Sequence, residues 1–335
     1  MKKIYIKNRI RREGQYQFFM HQFVEECIKN GIRPKPECHL KEEWHLRGFL
    51  FRLSVPFYRF IHKYFKFLLK RDKAILVTSS AGSVLWDSFP YFLTHRIILM
   101  LWDVWPERQQ QLYSEMLLVD CNLCFVTVKQ MVQDIKSKLN IQAYWVPEGI
   151  DKNEYCGDKN LKERDVDVYE MGRGMPRYHE LLLQGNKVGI IKKLLYNRTN
   201  PDGSLKKDGL VFKTFVDLRE SLSSIKAITC FPMVDTNPEK AGGLETLTQR
   251  YWEAMLSRCL MIGRAPKELI DLIGYNPVIN VDWENPLEQL REIFDNIESY
   301  QQLVNKNFEI AQNKSSWEGR VKDVLLVLES NGYYK

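Results

Sequence analysis

Two glutamates, Glu245 and Glu253, stand eight positions apart in the stretch GGLETLTQRYWEAMLSRCLMIG (242–263), on either side of an expected helix start. Gly242 and Gly243 precede the first, Thr246 or Thr248 offers a cap, and Tyr251, Trp252, Ala254, Met255 and Leu256 supply a buried side. Eight residues are just over two helical turns, so both carboxylates project to roughly one side. Glu253 falls inside the helix, where a charge is costly unless partnered. Arg250, three residues earlier, is within reach of it or of a bound phosphate. A helix N-terminus carries positive partial charge and free N–H groups that suit phosphate, while carboxylates accept hydrogen bonds from hydroxyls. The stretch therefore fits a phosphorylated polyol. Spacing alone leaves open an amphipathic helix with one exposed and one salt-bridged glutamate.

Further groups are candidates for chemistry. VDVYEMG (166–172) reads as a strand running into GRGMPRYHELL, and a strand, a Gly-rich turn and a helix form a phosphate-cradling arrangement. A third glycine and a following ribose-binding acid are missing, which disfavours a dehydrogenase. WDVWP puts Asp103 at a strand end, where open α/β sheets bind ligands, between Trp102 and Trp105, whose rings could stack on sugars. A helix-capping Asp beside Pro106 is the competing reading. The aspartates of DVD (165–167) alternate with valines and read as the edge of a strand rather than a metal site. Cys121 and Cys124 lie beside an apolar run with no second pair or nearby His, so core packing is the expectation for them. His179 reads as a structural residue one turn into the helix.

The stretch around Glu245 and Glu253 resembles the Glu-x7-Glu element of the GT-B glycosyltransferases, in particular the bacterial surface-glycan type. The pattern is a Gly-rich loop, Glu, seven residues, Glu-Ala-Met, then a strand and helix, matched here by CLMIGRAPKELIDLIG (259–274). VPEGID (146–151) resembles the segment that ends the first domain of such proteins, and SSWEGRVKDVLLVLES resembles their terminal helix. One departure lies after the helix, where a small residue and Gly are usual and this chain has Ser257, Arg258 and Cys259.

The resemblance implies two Rossmann-like domains facing each other across a cleft. It implies a retaining, metal-independent transfer from a nucleotide-diphosphate sugar of UDP or GDP type to a polysaccharide or lipid-linked glycan, without another cofactor. Glu245 would contact the donor sugar and Glu253 the ribose. Arg173 would contact the diphosphate, with Arg177 as second choice. Gly172, Gly242, Gly243, Thr248 and Arg250 would complete the donor site, and Asp103 is the polar candidate on the acceptor side. The implied domains are 1–148, a linker 149–165, a nucleotide-sugar domain 166–316 and a terminal helix 317–335 crossing back.

Composition bounds the alternatives. An apolar fraction of 44% and a charged fraction of 27% over 335 residues fit a globular protein of two domains. The N-terminus has lysines but no apolar run after them, so a secretory signal is not expected, and the cysteines suit a reducing cytosol. The net charge of +7 is concentrated, because no acidic residue occurs between Glu43 and Asp72. There Arg52, Arg59, Lys63, Lys66 and Lys70 follow one helical face, and Leu50, Leu53, Phe57, Phe60, Ile61, Tyr64, Phe67 and Leu68 another, with Pro56 expected to split or kink the pattern. Residues 46–71 thus suit an anionic membrane surface, which attracts each Lys or Arg by about 1 kcal/mol. The bland alternative is a domain helix whose apolar face packs on a sheet. Nucleic acid lacks any accompanying signature. The expected location is the cytoplasm or the inner face of the membrane. The rival function is a peripheral membrane or nucleic-acid binding protein on the same scaffold without transferase activity.

Strand-like and helix-like segments alternate throughout, as in a parallel sheet wrapped by helices. KIYIK, KAILVTS, RIILMLWD, NLCFVTV and QAYWVP form one set, with a turn at Gly14; VDVYEMG, GLVFKTF (209–215), KAITCFPM and NPVINVD form another. PMVDTNPEKAGG (232–243) reads as a polar loop closing over a donor.

Overall fold

Apolar residues fill both faces of runs such as RIILMLW and KAILVTS, the composition of strands covered on both sides in a parallel sheet. A computed structural model, which describes residues 4–8, 18–35, 43–65, 67, 69, 71–172, 174–198, 206 and 208–333, contains two such sheets. The chain divides into two units, Met1–Pro147 with Trp317–Lys335, and Glu148–Ser316. Gly14, Lys66, Leu68, Lys70 and Arg173 lie outside the described residues.

The first unit runs β1 (Ile4–Lys7), α1 (Phe18–Lys29), β2 (Arg33–Pro34), α2 (Glu43–Tyr64), β3 (Lys73–Ser80), α3 (Val84–Ser88), β4 (His95–Trp102), α4 (Gln109–Leu118), β5 (Leu123–Val126), α5 (Lys129–Leu139) and β6 (Gln142–Trp145). Its sheet has the order β2-β1-β3-β4-β5-β6, parallel at every pairing. Strand addition changes side between β1 and β3, so the topological switch lies there. Pro56 does not split α2, which continues through it. The inward side of α2 carries Val55 and Tyr58, whose hydroxyl donates to the Leu118 carbonyl at 2.7 Å.

The second unit runs β7 (Val166–Glu170), α6 (Pro176–Lys187), β8 (Leu194–Tyr196), α7 (Phe215–Leu222), β9 (Ile225–Cys230), α8 (Met233–Thr236), α9 (Pro238–Ala241), α10 (Gln249–Leu256), β10 (Leu260–Gly263), α11 (Lys267–Ile273), β11 (Ile279–Asn280), α12 (Pro286–Asp295) and α13 (Gln301–Lys314). Its sheet order is β11-β10-β9-β7-β8, again all parallel, with the switch between β7 and β9. The last helix, α14 (Trp317–Ser330), returns to the first unit and buries Trp317, Val321, Val324 and Leu328 against Phe23, Trp102 and Phe125. Among the described residues no helix is long and apolar enough to cross a membrane.

Several expectations are corrected. GLVFKTF is not a strand; the sheet takes LLY as β8 instead, and Thr214 caps α7 with Asp217 in reciprocal bonds of 3.0 and 3.1 Å. PMVDTNPEKAGG is not an open loop but folds into the short helices α8 and α9. Residues 149–165 are no free tether. Tyr155, Leu161 and Arg164 are buried in the second unit, and Arg164 donates to the Ile225 carbonyl at 2.8 Å. After α10, where Gly is usual, Arg258 itself takes the left-handed conformation (φ 49°). Its guanidinium holds the turn by donating to the Gly157 carbonyl at 2.5 Å and lying 3.9 Å from the Phe308 ring.

Candidate donor site

The switch between β7 and β9 is where an open α/β sheet leaves a crevice at the carboxyl ends of its strands. β7 ends there at Glu170, and the chain turns through Gly172 (φ +74°) and Gly174 into α6. The backbone passes close over two side chains. A Cβ on Gly172 would stand 2.5 Å from Nη2 of Arg250, and one on Gly174 would stand 2.2 Å from Oε1 of Glu170. The turn expected to cradle phosphate therefore lies directly against Arg250.

Arg250 is carried on the first turn of α10, after Thr248 at the N-cap position, whose side chain makes no capping bond. Its charge acts on both Glu170 and Glu253, lowering the proton affinity of each. Glu170 is buried; its Oε2 is 2.6 Å from Nδ1 of His179, while its Oε1 has no hydrogen-bond partner among the described residues. Burial raises the Glu170 pKa, against the opposing effect of His179 and Arg250. Glu253 is buried on α10 and accepts from the Tyr155 hydroxyl at 3.1 Å. Trp252 beside it donates to the Glu148 carbonyl at 2.9 Å, which ties α10 to the start of the unit.

Burial pushes the Glu253 carboxyl from the usual value of 4.5 up to about 7, against the Tyr155 hydrogen bond and the charges of Arg250 and Arg219. The folded state thus holds this proton more tightly than the unfolded chain. Its stabilising effect is complete below 4.5 and is lost as pH rises through about 7, a change of about 3 kcal/mol. Glu253→Gln removes that dependence. The fall in thermal midpoint between about pH 5 and pH 8 is expected to shrink in the variant, leaving the part due to Glu170, which shifts the same way. An undiminished fall would mean that Glu253 stays ionised throughout.

Glu245 occupies a second cluster. Gly242 (φ 54°) and Gly243 (φ 83°) turn the chain toward it after α9. Its Oε1 accepts from Nη1 of Arg264 at 2.5 Å and its Oε2 from the Lys267 amide at 2.9 Å. Arg264 is itself clamped by both oxygens of Asp235 at 2.7 and 2.8 Å. Tyr251 links the clusters: it is buried on α10 between the charges of Arg250 and Arg264, and its hydroxyl donates to the Arg264 carbonyl at 2.7 Å.

Gly172, Arg250 and Glu253 thus come together, and Glu245, in the second cluster, is linked to α10 through Arg264 and Tyr251. Arg177 does not turn into this group; its guanidinium lies 4.5 Å from the Trp283 ring. Asp103, in the first unit, is exposed at the end of β4 with φ 50°, and accepts from the Trp105 indole at 3.2 Å. Trp102 cannot stack on a ligand, because it is buried edge-on between Phe23 (5.6 Å) and Trp317 (6.2 Å). Asp167 is held at the opposite end of β7 by Lys226 at 2.7 Å and the amides of Lys192 and Lys193. Cys121 and Cys124 are buried, and burial raises the pKa of both thiols.

No protein-family profile matches the chain, and no curated protein matches it in sequence. Solved structures do match in shape. HepE of Anabaena, solved with UDP and glucose, superposes with a TM-score of 0.60 at 11% identity, covering 98% of this chain and 100% of that one. Sucrose-phosphate synthase of Thermosynechococcus elongatus gives 0.56 at 12%, covering 98% and 99%. A glycosyltransferase of Rickettsia africae gives 0.51 at 11%, covering 98% of each. The fold is GT-B.

Within this GT-B fold, sequence reasoning passed over Glu170, Tyr155, Asp235 and Arg264. A signal existed for Glu170, two residues before Gly172 at the strand's carboxyl end. Tyr155 and Glu253 are 98 positions apart, and no local pattern joins them.

Proposed function

We propose that the protein is a glycosyltransferase that moves a sugar from a nucleoside-diphosphate donor to a polysaccharide or lipid-linked glycan acceptor, with retention at the anomeric carbon. The observation that carries the reading is Arg250, set against the Gly172 turn at the β7/β9 switch, where its charge acts on the buried carboxylates of Glu170 and Glu253. The second unit takes the donor in this reading, and the first unit offers Asp103 toward the acceptor.

In the reaction the bond between the anomeric carbon and the diphosphate oxygen breaks, and one to the acceptor oxygen forms on the same face. The acceptor proton passes to the departing phosphate, so no dedicated base is needed. Charge grows on the diphosphate as that bond breaks, and Arg250 offsets it in place of a metal ion, joined by Arg173 as the family resemblance implies. A guanidinium suits this through its fork of donors. Glu245, already fixed by Arg264, meets hydroxyls of the donor sugar. Glu253 is assigned the ribose, and its burial beside Tyr155 requires the ribose to enter to the level of α10. HepE has been solved with UDP-glucose, which supports a UDP donor as the first choice here.

Thermal unfolding with UDP, GDP, ADP and their sugars, in chelator and then in magnesium, tests this. A ligand at 100 times its Kd stabilises the folded state by about 2.7 kcal/mol. One nucleotide series is expected to raise the midpoint without metal. No shift with any nucleotide would sink the reading.

A further inference from the structure

The donor site leaves α2 unused, and among the described residues its outward side gathers half of the exposed large apolar side chains. Leu46, Phe49, Leu53, Phe57, Phe60 and Tyr64 are each between 53% and 64% exposed. At 100° per residue they fall within an arc of about 80°, facing away from Val55 and Tyr58 on the packed side. The apolar face is therefore turned outward and does not pack on the sheet. Arg52, Arg59 and Lys63 are also exposed and form a row about 100° round the axis from the aromatic stripe. Just past the helix, Phe67 is 77% exposed. No acid occurs between Glu43 and Asp72 to neutralise the row.

We propose that α2 docks the protein on an anionic lipid surface, with the aromatic stripe entering the headgroup–acyl boundary and the basic row meeting lipid phosphates. Charge decides the occupant. A second copy of the chain, paired antiparallel along α2, would set Arg52, Arg59 and Lys63 beside the same cations, and paired parallel it would bring no acidic residue of α2 to the row. A polyanion groove would put cations at its centre, whereas here an apolar stripe is central and the cations lie at its flank. Interfacial helices have that arrangement. The inference stands apart from the donor site, so each can fail alone.

Co-sedimentation of the full chain with vesicles tests it, using phosphatidylcholine alone and phosphatidylcholine with phosphatidylglycerol, at low and high salt. The chain is expected to bind the anionic vesicles and not the neutral ones. Combined Arg52→Glu, Arg59→Glu and Lys63→Glu should weaken binding by at least about tenfold, as each cation near the surface contributes separately. Phe49→Ser with Phe57→Ser and Phe60→Ser should weaken it as much, since these side chains are exposed and the fold does not need them. Circular dichroism and the nucleotide-induced thermal shift should be unchanged in both variants. Absence of vesicle binding overturns the proposal. So does vesicle binding that survives loss of the aromatics, which would mark general attraction to polyanions. A concentration-dependent dimer in size exclusion, lost with the aromatic substitutions, would overturn it in favour of a second copy.

Discussion

Arg250→Ala is expected to lower kcat/KM for sugar transfer roughly 100- to 1,000-fold, the loss that follows removal of one preorganised group stabilising transition-state charge. It should also abolish the thermal shift produced by the preferred nucleotide. The guanidinium lies against the Gly172 turn and its charge acts on two buried carboxylates, so a cation stands at the turn before any ligand arrives. Without it, Glu170 and Glu253 lose a charge that lowers their proton affinity, and both will hold protons to higher pH. The fold survives that change because a carboxyl can neutralise instead of remaining a buried ion. Arg250→Lys, which keeps the charge and loses the fork, should fall between wild type and alanine. Nucleotide release with the matched sugar donor gives the rates, and far-UV circular dichroism checks the fold. Full activity in Arg250→Ala would remove the residue from the reaction.

Gly263→Ala is expected to destabilise the second unit by at least about 3 kcal/mol, combining a clash with a backbone conformation that L side chains rarely adopt. Gly263 ends β10 at φ +142°, and a Cβ there would stand 2.1 Å from the Cys230 carbonyl oxygen. That oxygen belongs to the neighbouring strand β9 and cannot swing aside as a side chain would. Arg264 follows directly and clamps Asp235 and Glu245, so the displacement also loosens the second cluster. Chemical denaturation monitored by tryptophan fluorescence gives the loss. A variant within about 1 kcal/mol of wild type would mean that β9 and β10 separate at little cost.

The residues that could do chemistry were legible to the extent that their signals are local. Glu245 and Glu253 are separated by a count, and the Gly172 turn follows a strand; both are patterns within a dozen residues. What each side chain does with its position was not legible. Glu245 has both oxygens held by Arg264 and the α11 amide, residues that themselves come from the far side of β10. Arg177 read as a candidate because arginine beside a glycine turn suits phosphate, yet its helix turns it onto Trp283, more than a hundred positions away. Trp102 and Trp105 look alike in WDVWP, but the first is the last residue of β4 and lies in the core, while the second lies past the strand end beside Asp103.

The sequence by itself determined the alternation of strands and helices, the largely apolar character of the strands and the two halves. Each of these is written in periodicity and composition over short windows, where burial on one or both faces selects the residue types. Tertiary structure alone decided that LLY rather than GLVFKTF enters the second sheet, because a strand needs a neighbour's edge as well as a pattern. It also decided which side of α2 faces inward. Both sides are rich in large apolar residues, and Phe51, Tyr58 and His62 find partners across the chain in Trp86, Leu118 and Asp120, so the aromatic stripe is left outside. Local chemistry sets what a segment can do; contacts between residues far apart in the chain set which of those options is used.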